Sequence, residues 1–437
     1  MSSEWPTVTI DQVCDLIVDC VNKTAPVVDG PTPYRMIRTT NIRNGRIDRN
    51  ECRYVDGATY AKWTRRADLR FGDVLLTREA PIGEVGFVIE PQGFFLGQRV
   101  MQYRANAAKL SPRFLLYSFL SPVLQHQFGS HEGSGSVVSH IRVGDCFKFK
   151  LKLPPLPVQD EIASLLGALD DRIALLRETN ATLEAIAQAL FKSWFVDFDP
   201  VRAKQQGLAP AGVDEATATL FPDSFEESAL GSVPKGWRVG TLGELADLNA
   251  KTWSGRSHPE RVQYLDLANV KNNEVAAFME FAFDDAPSRA RRALRNSDTL
   301  VGTVRPGNRS FAFIHEPQPH LTASTGFAVL SPRAVDNTAF VYLGATQDAS
   351  IEHLAHVADG GAYPAVRPDA VSGLVCVVPS TAILRAFNTV ACPLLEKVSA
   401  NQRQTQTLAT LRDTLLPRLI SGQLRLPESQ PKMESES

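Results

Sequence analysis

The chain has little cysteine and no long apolar run, and both shortages exclude classes of protein. Its 437 residues include only six cysteines, at scattered positions and without a C-x-x-C pair. This usage does not fit a disulfide-stapled secreted domain or a zinc site, and it favours reduced thiols. No apolar stretch approaches the ~20 residues that span a bilayer, and the first residues lack the basic and apolar regions of a secretory signal. We therefore expect a cytoplasmic protein.

The motifs of several enzyme classes are also missing. The nucleotide-binding loop G-x-x-x-x-G-K-[ST] does not occur, and neither does [DE]-x-K, a triplet typical of restriction-type nucleases. Adenine methyltransferases hold a flipped base with an Asn/Asp-Pro-Pro-aromatic loop, but the only Pro-Pro pair follows Leu153. His353 and His356 lack a third ligand and are better explained as a surface pair than as a metal site. The sequence therefore predicts no catalytic residue, metal or cofactor in this chain.

Net charge is close to neutral, at −2, which does not by itself indicate a polyanionic partner. The charges are spread unevenly, however. Segments 35–46 and 289–295 each hold four arginines and no carboxylate, whereas acidic residues gather in 214–227 and near the C-terminus. Two basic surfaces can therefore exist in a chain whose total charge is nearly zero.

Several motifs occur twice, about 225 positions apart. Asp73-Val74-Leu75-Leu76 corresponds to Asp298-Thr299-Leu300-Val301, and Leu153-Pro154 corresponds to Val378-Pro379 at the same offset. This period is too long for a solenoid unit, so we interpret the chain as two homologous halves. In each half, short β-type runs separated by Gly and Pro precede a proline-marked boundary and a long helix. An α+β fold with two pseudo-repeated mixed α/β domains is the prediction.

The two long helices show the 3.5-residue period of a coiled coil, with apolar positions at alternating steps of four and three. The predicted seam consists of Leu169, Ile173, Leu176, Asn180, Leu183, Leu190 and Trp194 in the first half and Leu394, Val398, Asn401, Thr405, Leu408, Leu415 and Leu419 in the second. Because two such seams offer each other matching surfaces, we expect the helices to pair, with Asn180, Asn401 and Thr405 fixing the register. The alternative is that each helix lies on its own domain.

Six motifs spread over nearly the whole chain point to one protein family. They are 72–76 (GDVLL), 153–166 (LPPLPVQDEIASLL) continued by 169–173 (LDDRI), 194–204 (WFVDFDPVRAK), 220–225 (LFPDSF), 234–237 (PKGW) and 415–422 (LLPRLISG). In combination they resemble the specificity (S) subunit of Type I restriction–modification systems. Val158 is a departure, because many members carry Glu before the Gln, and it concerns only a local contact at the start of the helix.

The resemblance implies two target-recognition domains, each for one half of a bipartite, asymmetric DNA target, joined by two long helices in an antiparallel coiled coil. It implies double-stranded DNA, two modification (methyltransferase) subunits carrying S-adenosylmethionine and two restriction (motor–nuclease) subunits as partners. The chain itself would be non-catalytic. A fused DNA methyltransferase or nuclease acting alone is the competing interpretation, against which the missing motifs argue. A helical scaffold without DNA is a third, disfavoured by the arginine-rich, turn-rich domains.

Domain boundaries follow from the repeat and the resemblance. They are 1–153 for the first recognition domain, 154–199 for the first long helix, 200–232 for a linker, 233–378 for the second recognition domain, 379–423 for the second long helix and 424–437 for a disordered tail. A helix over 158–195 would be roughly 57 Å long. We expect it to hold the two recognition domains apart and so to set the non-specific gap in the target.

Candidate DNA contacts are polar and basic residues of turn-rich segments, because Arg, Asn, Gln, Ser and Thr recognise base edges while Arg and Lys contact phosphates. In the first half they are Arg38, Thr39, Asn41, Arg43, Arg78, Gln98, Arg99, Ser136, His140 and Arg142. In the second half they are Asn269, Lys271, Arg305, Asn308, Arg309, Ser324, Tyr363 and Arg367. Each alone is equally explained as a solvated surface residue. The strongest cluster is 305–309, where a predicted hairpin would present two guanidinium groups and an amide.

Overall fold

A computed structural model describes residues 5–21, 23–130 and 140–427. The chain divides into two compact units. Unit 1 comprises residues 1–174 and 406–437, and unit 2 comprises residues 175–405. Each unit therefore contains one mixed α/β domain together with part of each long helix.

Unit 1 is built on an antiparallel four-stranded sheet of order β2-β10-β7-β8 and a three-stranded sheet of order β6-β3-β9. Its strands are β1 (Thr7–Thr9), β2 (Cys14–Asp19), β3 (Tyr34–Ile37), β4 (Ile42–Arg43), β5 (Arg46–Ile47), β6 (Arg53–Val55), β7 (Val74–Arg78), β8 (Ile82–Phe87), β9 (Phe94–Leu96), β10 (Val100–Ala105) and β11 (Lys150–Lys152). Its short helices are α1 (Gly57–Thr64), α2 (Pro112–Leu120) and α3 (Pro122–Gly129), and helix α4 (Leu156–Phe195) begins here and continues into unit 2.

Unit 2 has a four-stranded antiparallel sheet of order β15-β24-β21-β22 and a second sheet of order β19-β16-β23-β20. Its strands are β12 (Phe225–Ser228), β13 (Gly231–Pro234), β14 (Arg238–Thr241), β15 (Ala246–Leu248), β16 (Arg261–Leu265), β17 (Val270–Lys271), β18 (Glu274–Val275), β19 (Met279–Ala282), β20 (Ala290–Ala293), β21 (Thr299–Gly302), β22 (Phe311–Phe313), β23 (Leu321–Ser324), β24 (Phe327–Pro332) and β25 (Val375–Val378). Its helices are α5 (Asp199–Gln205), α6 (Glu215–Leu220), α7 (Leu242–Leu245), α8 (Thr338–Thr346), α9 (Asp348–His356) and α10 (Pro368–Ser372), and α11 (Thr381–Ile420) ends in unit 1.

The two units repeat one topology, which confirms the predicted duplication. The order β2-β10-β7-β8 in unit 1 corresponds to β15-β24-β21-β22 in unit 2, and the hairpin β4–β5 corresponds to β17–β18. Helices α4 and α11 begin at Leu156 and Thr381 and end at Phe195 and Ile420, so both pairs of ends keep the 225-residue offset.

The matching strands β7 and β21 are buried on both faces because successive side chains point to opposite sides of a sheet. Val74 and Leu76 pack in a cluster with helical Phe114, while Leu75 packs in a separate cluster. In unit 2, Val301 similarly packs with residues of α8 and Leu300 packs in a second cluster. Because both faces of these strands are buried, each central strand has a continuous run of apolar residues in the sequence.

The long helices pack against each other with antiparallel direction, as predicted. In unit 1, Ile162 and Leu166 share a core cluster with Leu416 and Leu419. Arg412 Nη1 also donates to Asp170 Oδ1 at 2.6 Å. Burial of apolar surface along this contact is what holds the two segments together.

The same packing continues within unit 2. Asn180 Nδ2 donates to the carbonyl of Val398 at 3.3 Å, and the rings of Phe191 and Phe387 lie 6.1 Å apart. Of the predicted seam, the buried residues are Ile173, Leu176, Trp194, Val398, Asn401 and Leu419. The remaining seam residues are partly buried, and they are Leu169, Asn180, Leu183, Leu190, Leu394, Thr405, Leu408 and Leu415.

The connection between the halves contains ordered structure, although its Gly and Pro content predicts a linker. Helices α5 and α6 and the hairpin β12–β13 lie in it. Val201 and Phe221 are buried in the core of unit 2, and the ring of Phe221 packs edge-on against Trp194 at 5.0 Å. A few large apolar residues of the connection therefore anchor it to the core of unit 2. In unit 1, Leu424 and Leu426 of the predicted tail pack against the core, and residues 428–437 lie outside the described part.

Candidate nucleic-acid interface

An open groove of about 760 Å³ lies in unit 2, beside strand β17 and the turn between β21 and β22. We call it the basic groove, and its polar lining consists of Lys271, Arg305, Asn308, Arg309, Ser310 and Tyr363. No carboxylate of the described residues lines it. Cationic and amide donors suit a ligand that presents phosphates and hydrogen-bond acceptors.

The turn that carries the groove's arginines connects two antiparallel strands, as the sequence predicts. Pro306 begins a single 3₁₀ turn, Pro306–Asn308, because its ring fixes a φ that suits a helical start. Residues on both sides of the turn have left-handed backbone, with φ of 47° at Arg305 and 60° at Arg309. This geometry places the two arginines on either side of the turn, in which Asn308 N donates to Arg305 O at 2.8 Å.

Arg305 is exposed to solvent, yet its side chain is held in place. The guanidinium lies over the ring of Tyr363, 4.6 Å from the centroid, and Nη2 donates to the carbonyl of Ala362 at 2.8 Å. The backbone is anchored as well, because Arg305 N donates to Pro364 O at 2.7 Å. Tyr363 itself is 71% exposed, so this stacked pair stands at the rim of the groove.

Arg309 differs from Arg305 because its charge is already neutralised. Nη1 forms an ion pair with Asp348 at 2.8 Å, and Nε donates to Asn272 Oδ1 at 3.0 Å. Asn272 N donates in turn to Arg309 O at 2.8 Å. Arg309 therefore holds the turn against the β17–β18 hairpin and helix α9. The sequence alone predicts the same role, a DNA contact, for Arg309 and Arg305.

The other predicted contacts of unit 2 fall into two groups. Lys271, Asn308 and Arg367 are exposed, and Asn269 is partly buried. Ser324 is fully buried, and its Oγ accepts from Gly326 N at 3.2 Å. This corrects the expectation of a surface contact at Ser324, because strand β23 lies between two other strands of its sheet.

In unit 1, the predicted contacts at 38–43 form a turn that is held by its own hydrogen bonds. Asn41 is 1% exposed and its Oδ1 accepts from Arg38 N at 2.9 Å, so it supports the turn from inside and is not a surface contact. Arg43 Nη1 donates to Thr39 O at 2.8 Å, and Thr39 Oγ1 donates to Ala80 O at 3.0 Å. Arg43 is exposed and can reach a ligand, although its Nε also lies 3.8 Å from Glu84 Oε1.

The remaining predicted contacts of unit 1 are largely engaged with the protein. Arg78 Nη1 donates to Ile141 O at 3.0 Å, and Arg99 pairs with Glu79 at 3.1 Å. The amide of Gln98 lies 3.1 Å from the hydroxyl of Thr24. His140 and Arg142 are exposed. Ser136 lies outside the described residues.

The two arginine-rich segments contribute less free charge than the sequence suggests. Arg289 pairs with Asp266 at 3.1 Å and Arg295 with Asp298 at 3.6 Å. Arg291 lies over the ring of Phe283. Two of the four arginines of segment 289–295 are therefore engaged in ion pairs within unit 2. In unit 1, Arg46 donates to the backbone carbonyl of Asp170 at 3.1 Å, a contact that orients the guanidinium and does not neutralise its charge.

The equivalent turns of the two units carry different side chains. Ala80-Pro81 in unit 1 occupies the position of Arg305-Pro306 in unit 2, 225 residues later. The φ angles are similar at this point, 49° at Ala80 and 47° at Arg305, whereas the peptide bond between Ala80 and Pro81 is cis. The same fold therefore presents a methyl group in one unit and a guanidinium in the other.

A buried carboxylate begins the central strand of each unit, and its partners differ. Asp73 pairs with Arg104 through two contacts of 2.8 Å. At the corresponding place unit 2 has Ser331, whose Oγ donates to Asp298 Oδ1 at 2.5 Å. Burial raises the pKa of Asp298 to about 6. Desolvation of the Asp298 carboxylate outweighs its contacts with Ser331 and Arg295, both of which lower the pKa.

Asn272 and Asp348, which hold Arg309, were missed by sequence reasoning. Asn272 and Asn273 are consecutive residues with positive φ, of 46° and 63°. Asn tolerates this conformation better than most residues, so an Asn-Asn pair between two short β-type runs is a turn signal that could have located the hairpin. Asp348 offered no comparable signal, because it lies 39 positions from its partner.

Within the described ranges, no cluster of three His, Cys, Asp or Glu side chains has the geometry to hold a metal ion. No helix in those ranges has the length and apolar character needed to cross a membrane. All six cysteines are free, and burial raises the pKa of Cys14 to about 12 and that of Cys146 to about 11. Thiols with such pKa values are poor nucleophiles at neutral pH.

Comparisons with known proteins agree on one family. Residues 2–185 match the family model described as the Type I restriction modification DNA specificity domain. The chain is 24% identical over 365 residues to the Type I restriction enzyme MjaIX specificity subunit of Methanocaldococcus jannaschii, covering 82% of this chain and 78% of the relative. It is 24% identical over 407 residues to the Type I restriction enzyme HindI specificity subunit of Haemophilus influenzae, covering 82% and 87%.

A solved structure shares the fold. The crystal structure of the Type-I restriction-modification system S subunit from M. genitalium has a TM-score of 0.57 and 15% sequence identity, over 98% of each chain.

Proposed function

Because the chain belongs to the family of Type I restriction–modification specificity subunits, we propose that it recognises a bipartite, asymmetric DNA target for partner enzymes. Unit 1 binds one half of the target and unit 2 binds the other. The observation that carries the proposal is the duplicated topology with different chemistry at equivalent turns, Ala80 in unit 1 and Arg305 in unit 2. Two similar folds with different contact residues suit two half-sites of different sequence.

The relatives are specificity subunits, which indicates a recognition role for this chain and not a catalytic one. In the proposal, two modification subunits bind S-adenosylmethionine and methylate adenine after flipping it from the duplex. Two restriction subunits join the same complex for cleavage, and the complex acts in the cytoplasm. The missing methyltransferase and nuclease motifs support this division of labour.

The long helices are proposed to set the gap between the half-sites. Each is a continuous helix of 40 residues, and so is roughly 60 Å long. Each also passes from one unit into the other. A stiff paired connection of fixed length would give the target a spacer of fixed length.

The proposal is tested by mapping methylated adenines in the genome of a host that expresses the partners with and without this chain. The expected result is methylation at two short sequences with a constant gap, lost completely when the chain is absent. Methylation that persists without the chain would refute the proposal. Methyl transfer to DNA by the purified chain alone would instead support the fused-enzyme alternative.

A further inference from the structure

We propose that Arg305 is a specificity-determining residue that recognises a guanine in the half-site bound by unit 2. The inference rests on the proposed function and extends it by assigning one base to one residue. Guanine presents two acceptors, O6 and N7, on its major-groove edge, and an arginine can donate to both at once. The chemistry of the assignment therefore depends on which donors of Arg305 the protein leaves available.

The hydrogen-bonding capacity of Arg305 is mostly unused. A guanidinium has five N–H donors, and the protein accepts from Nη2 alone, through Ala362 O at 2.8 Å. The guanidinium carbon lies over the ring of Tyr363, 4.6 Å from the centroid, a contact that uses none of the N–H donors. Among the described residues no carboxylate forms an ion pair with Arg305. An edge with two parallel donors thus remains for a ligand.

The three contacts also fix the direction of the side chain before any ligand arrives. An unrestrained arginine side chain loses conformational entropy about several rotatable bonds when it binds a ligand, and a restrained side chain loses less. Arg305 is restrained at its backbone by Pro364 O, at its face by Tyr363 and at one nitrogen by Ala362 O. Such restraint increases selectivity among bases. The guanidinium cannot rotate freely to form hydrogen bonds with a base whose acceptors lie in other positions.

Neighbouring cations of the basic groove do not have this combination. Arg309 pairs with Asp348 and donates to Asn272, so its charge and its Nε are occupied. Lys271 is exposed, but an ammonium is a point charge without a fork of parallel donors and suits a phosphate. In the basic groove, Arg305 is therefore the arginine available to a base. Arg309 supports the turn, and Lys271 suits a phosphate.

The position of unit 1 that corresponds to Arg305 is Ala80, which lacks a guanidinium. Ala80 shares the left-handed backbone of Arg305 but has no donor beyond its backbone. A methyl side chain can contact the methyl group of thymine, but it cannot select guanine. Replacing Arg305 is therefore expected to affect only one half of the target.

The main alternative is that Arg305 contacts a phosphate. Such a contact lowers affinity equally for all sequences and leaves the recognised motif unchanged. Lysine in place of Arg305 would largely preserve a phosphate contact, whereas it would replace the planar two-donor fork by a single ammonium and so weaken the discrimination for guanine. The variants Arg305→Lys and Arg305→Ala therefore separate the two roles.

The experiment uses the chain in complex with its modification partners, first in cells. The wild-type methylation motif is determined, and then those of Arg305→Ala, Arg305→Lys, Tyr363→Phe and, as a control, Arg261→Ala, an exposed arginine of unit 2 outside the groove. Both Arg305 variants are expected to lower discrimination at one guanine roughly 5- to 150-fold, the effect of losing one two-donor contact. The other half-site serves as an internal folding control and stays unchanged.

The second measurement uses purified complex and synthetic duplexes in which 7-deazaguanine replaces the guanine at that position, which removes the N7 acceptor. The wild-type complex is expected to bind the modified duplex more weakly, and the Arg305→Ala complex is expected to bind both duplexes equally. An unchanged motif in both Arg305 variants, or equal loss from 7-deazaguanine in wild type and variant, would overturn the inference. A wild-type chain that specifies no bipartite motif would instead refute the proposed function.

Discussion

The side-chain amide of Asn401 donates a hydrogen bond to Asn180 Oδ1 at 2.8 Å, joining the two long helices through a polar contact within unit 2. Asn180 donates onward to the carbonyl of Val398. Asn401 is only 2% exposed, so the pair stands in a seam that is otherwise mainly apolar. A buried amide pair of this kind stabilises one register of a coiled coil at some cost in overall stability.

Replacing one member of this pair should therefore destabilise the chain more than replacing both. Asn401→Leu removes the donor to Asn180 Oδ1, which costs about 1–3 kcal/mol when a buried polar group is left unpaired. The double variant with Asn180→Leu should recover this loss, because leucine pairs suit a helix seam. Urea unfolding of the three proteins measures the difference. Equal destabilisation by single and double variants would contradict a coupled pair.

Unit 1 contains a buried ion pair whose arginine is expected to be essential for stability. Asp73 is fully buried and pairs with Arg104. Arg104→Ala would leave a buried carboxylate without its counter-ion, which destabilises a protein by about 3–5 kcal/mol. Denaturant unfolding measures the loss, and Arg333→Ala, at an exposed surface pair, is the control. A loss of less than about 1 kcal/mol would show that Asp73 does not depend on Arg104.

Unit 2 should lose stability as the pH rises from about 4 to 6, because of Asp298. Burial raises the pKa of this carboxyl from 3.8 to about 6 in the folded chain, so the folded state binds the proton more tightly than the unfolded state. Its contribution to stability is therefore complete below pH 3.8 and is lost as pH passes through 6. Thermal unfolding of wild type and Asp298→Asn across this range should diverge in favour of the variant. Parallel curves would contradict the shift.

Shortening both long helices by one matched heptad should shorten the gap in the target. Residues 172–178 of α4 and 404–410 of α11 lie where the chain passes between the units, and removing them spares the Asn180–Asn401 contact. Seven residues correspond to roughly 10 Å of helix, or about three base pairs. Methylation mapping should then find both half-sites unchanged with a smaller gap. Altered half-site bases with an unaltered gap would refute the role of the helices.

The architecture was largely predictable because its signals are local or duplicated. The heptad pattern around Leu169 and Leu394 and the repeated motif at Asp73 and Asp298 are visible without any tertiary information. These signals predicted the paired helices and the two similar domains, and the structure confirms both.

The candidate site was less predictable because it depends on contacts between distant segments. The sequence does not distinguish Arg305 from Arg309. Their different contacts, with Tyr363 and with Asp348, come from segments that lie later in the chain. Ser324 was expected at the surface, but strand pairing on both sides buries it. Composition does not specify which neighbour a polar side chain will find.

The central claim is that each unit recognises one half-site independently, and replacing one recognition domain by the other tests it most directly. In a chain whose residues 5–153 are exchanged for a second copy of 237–378, methylation mapping should find two copies of the unit 2 half-site. The two copies should be separated by a constant gap. Retention of the original asymmetric motif, or a motif unrelated to it, would contradict the claim.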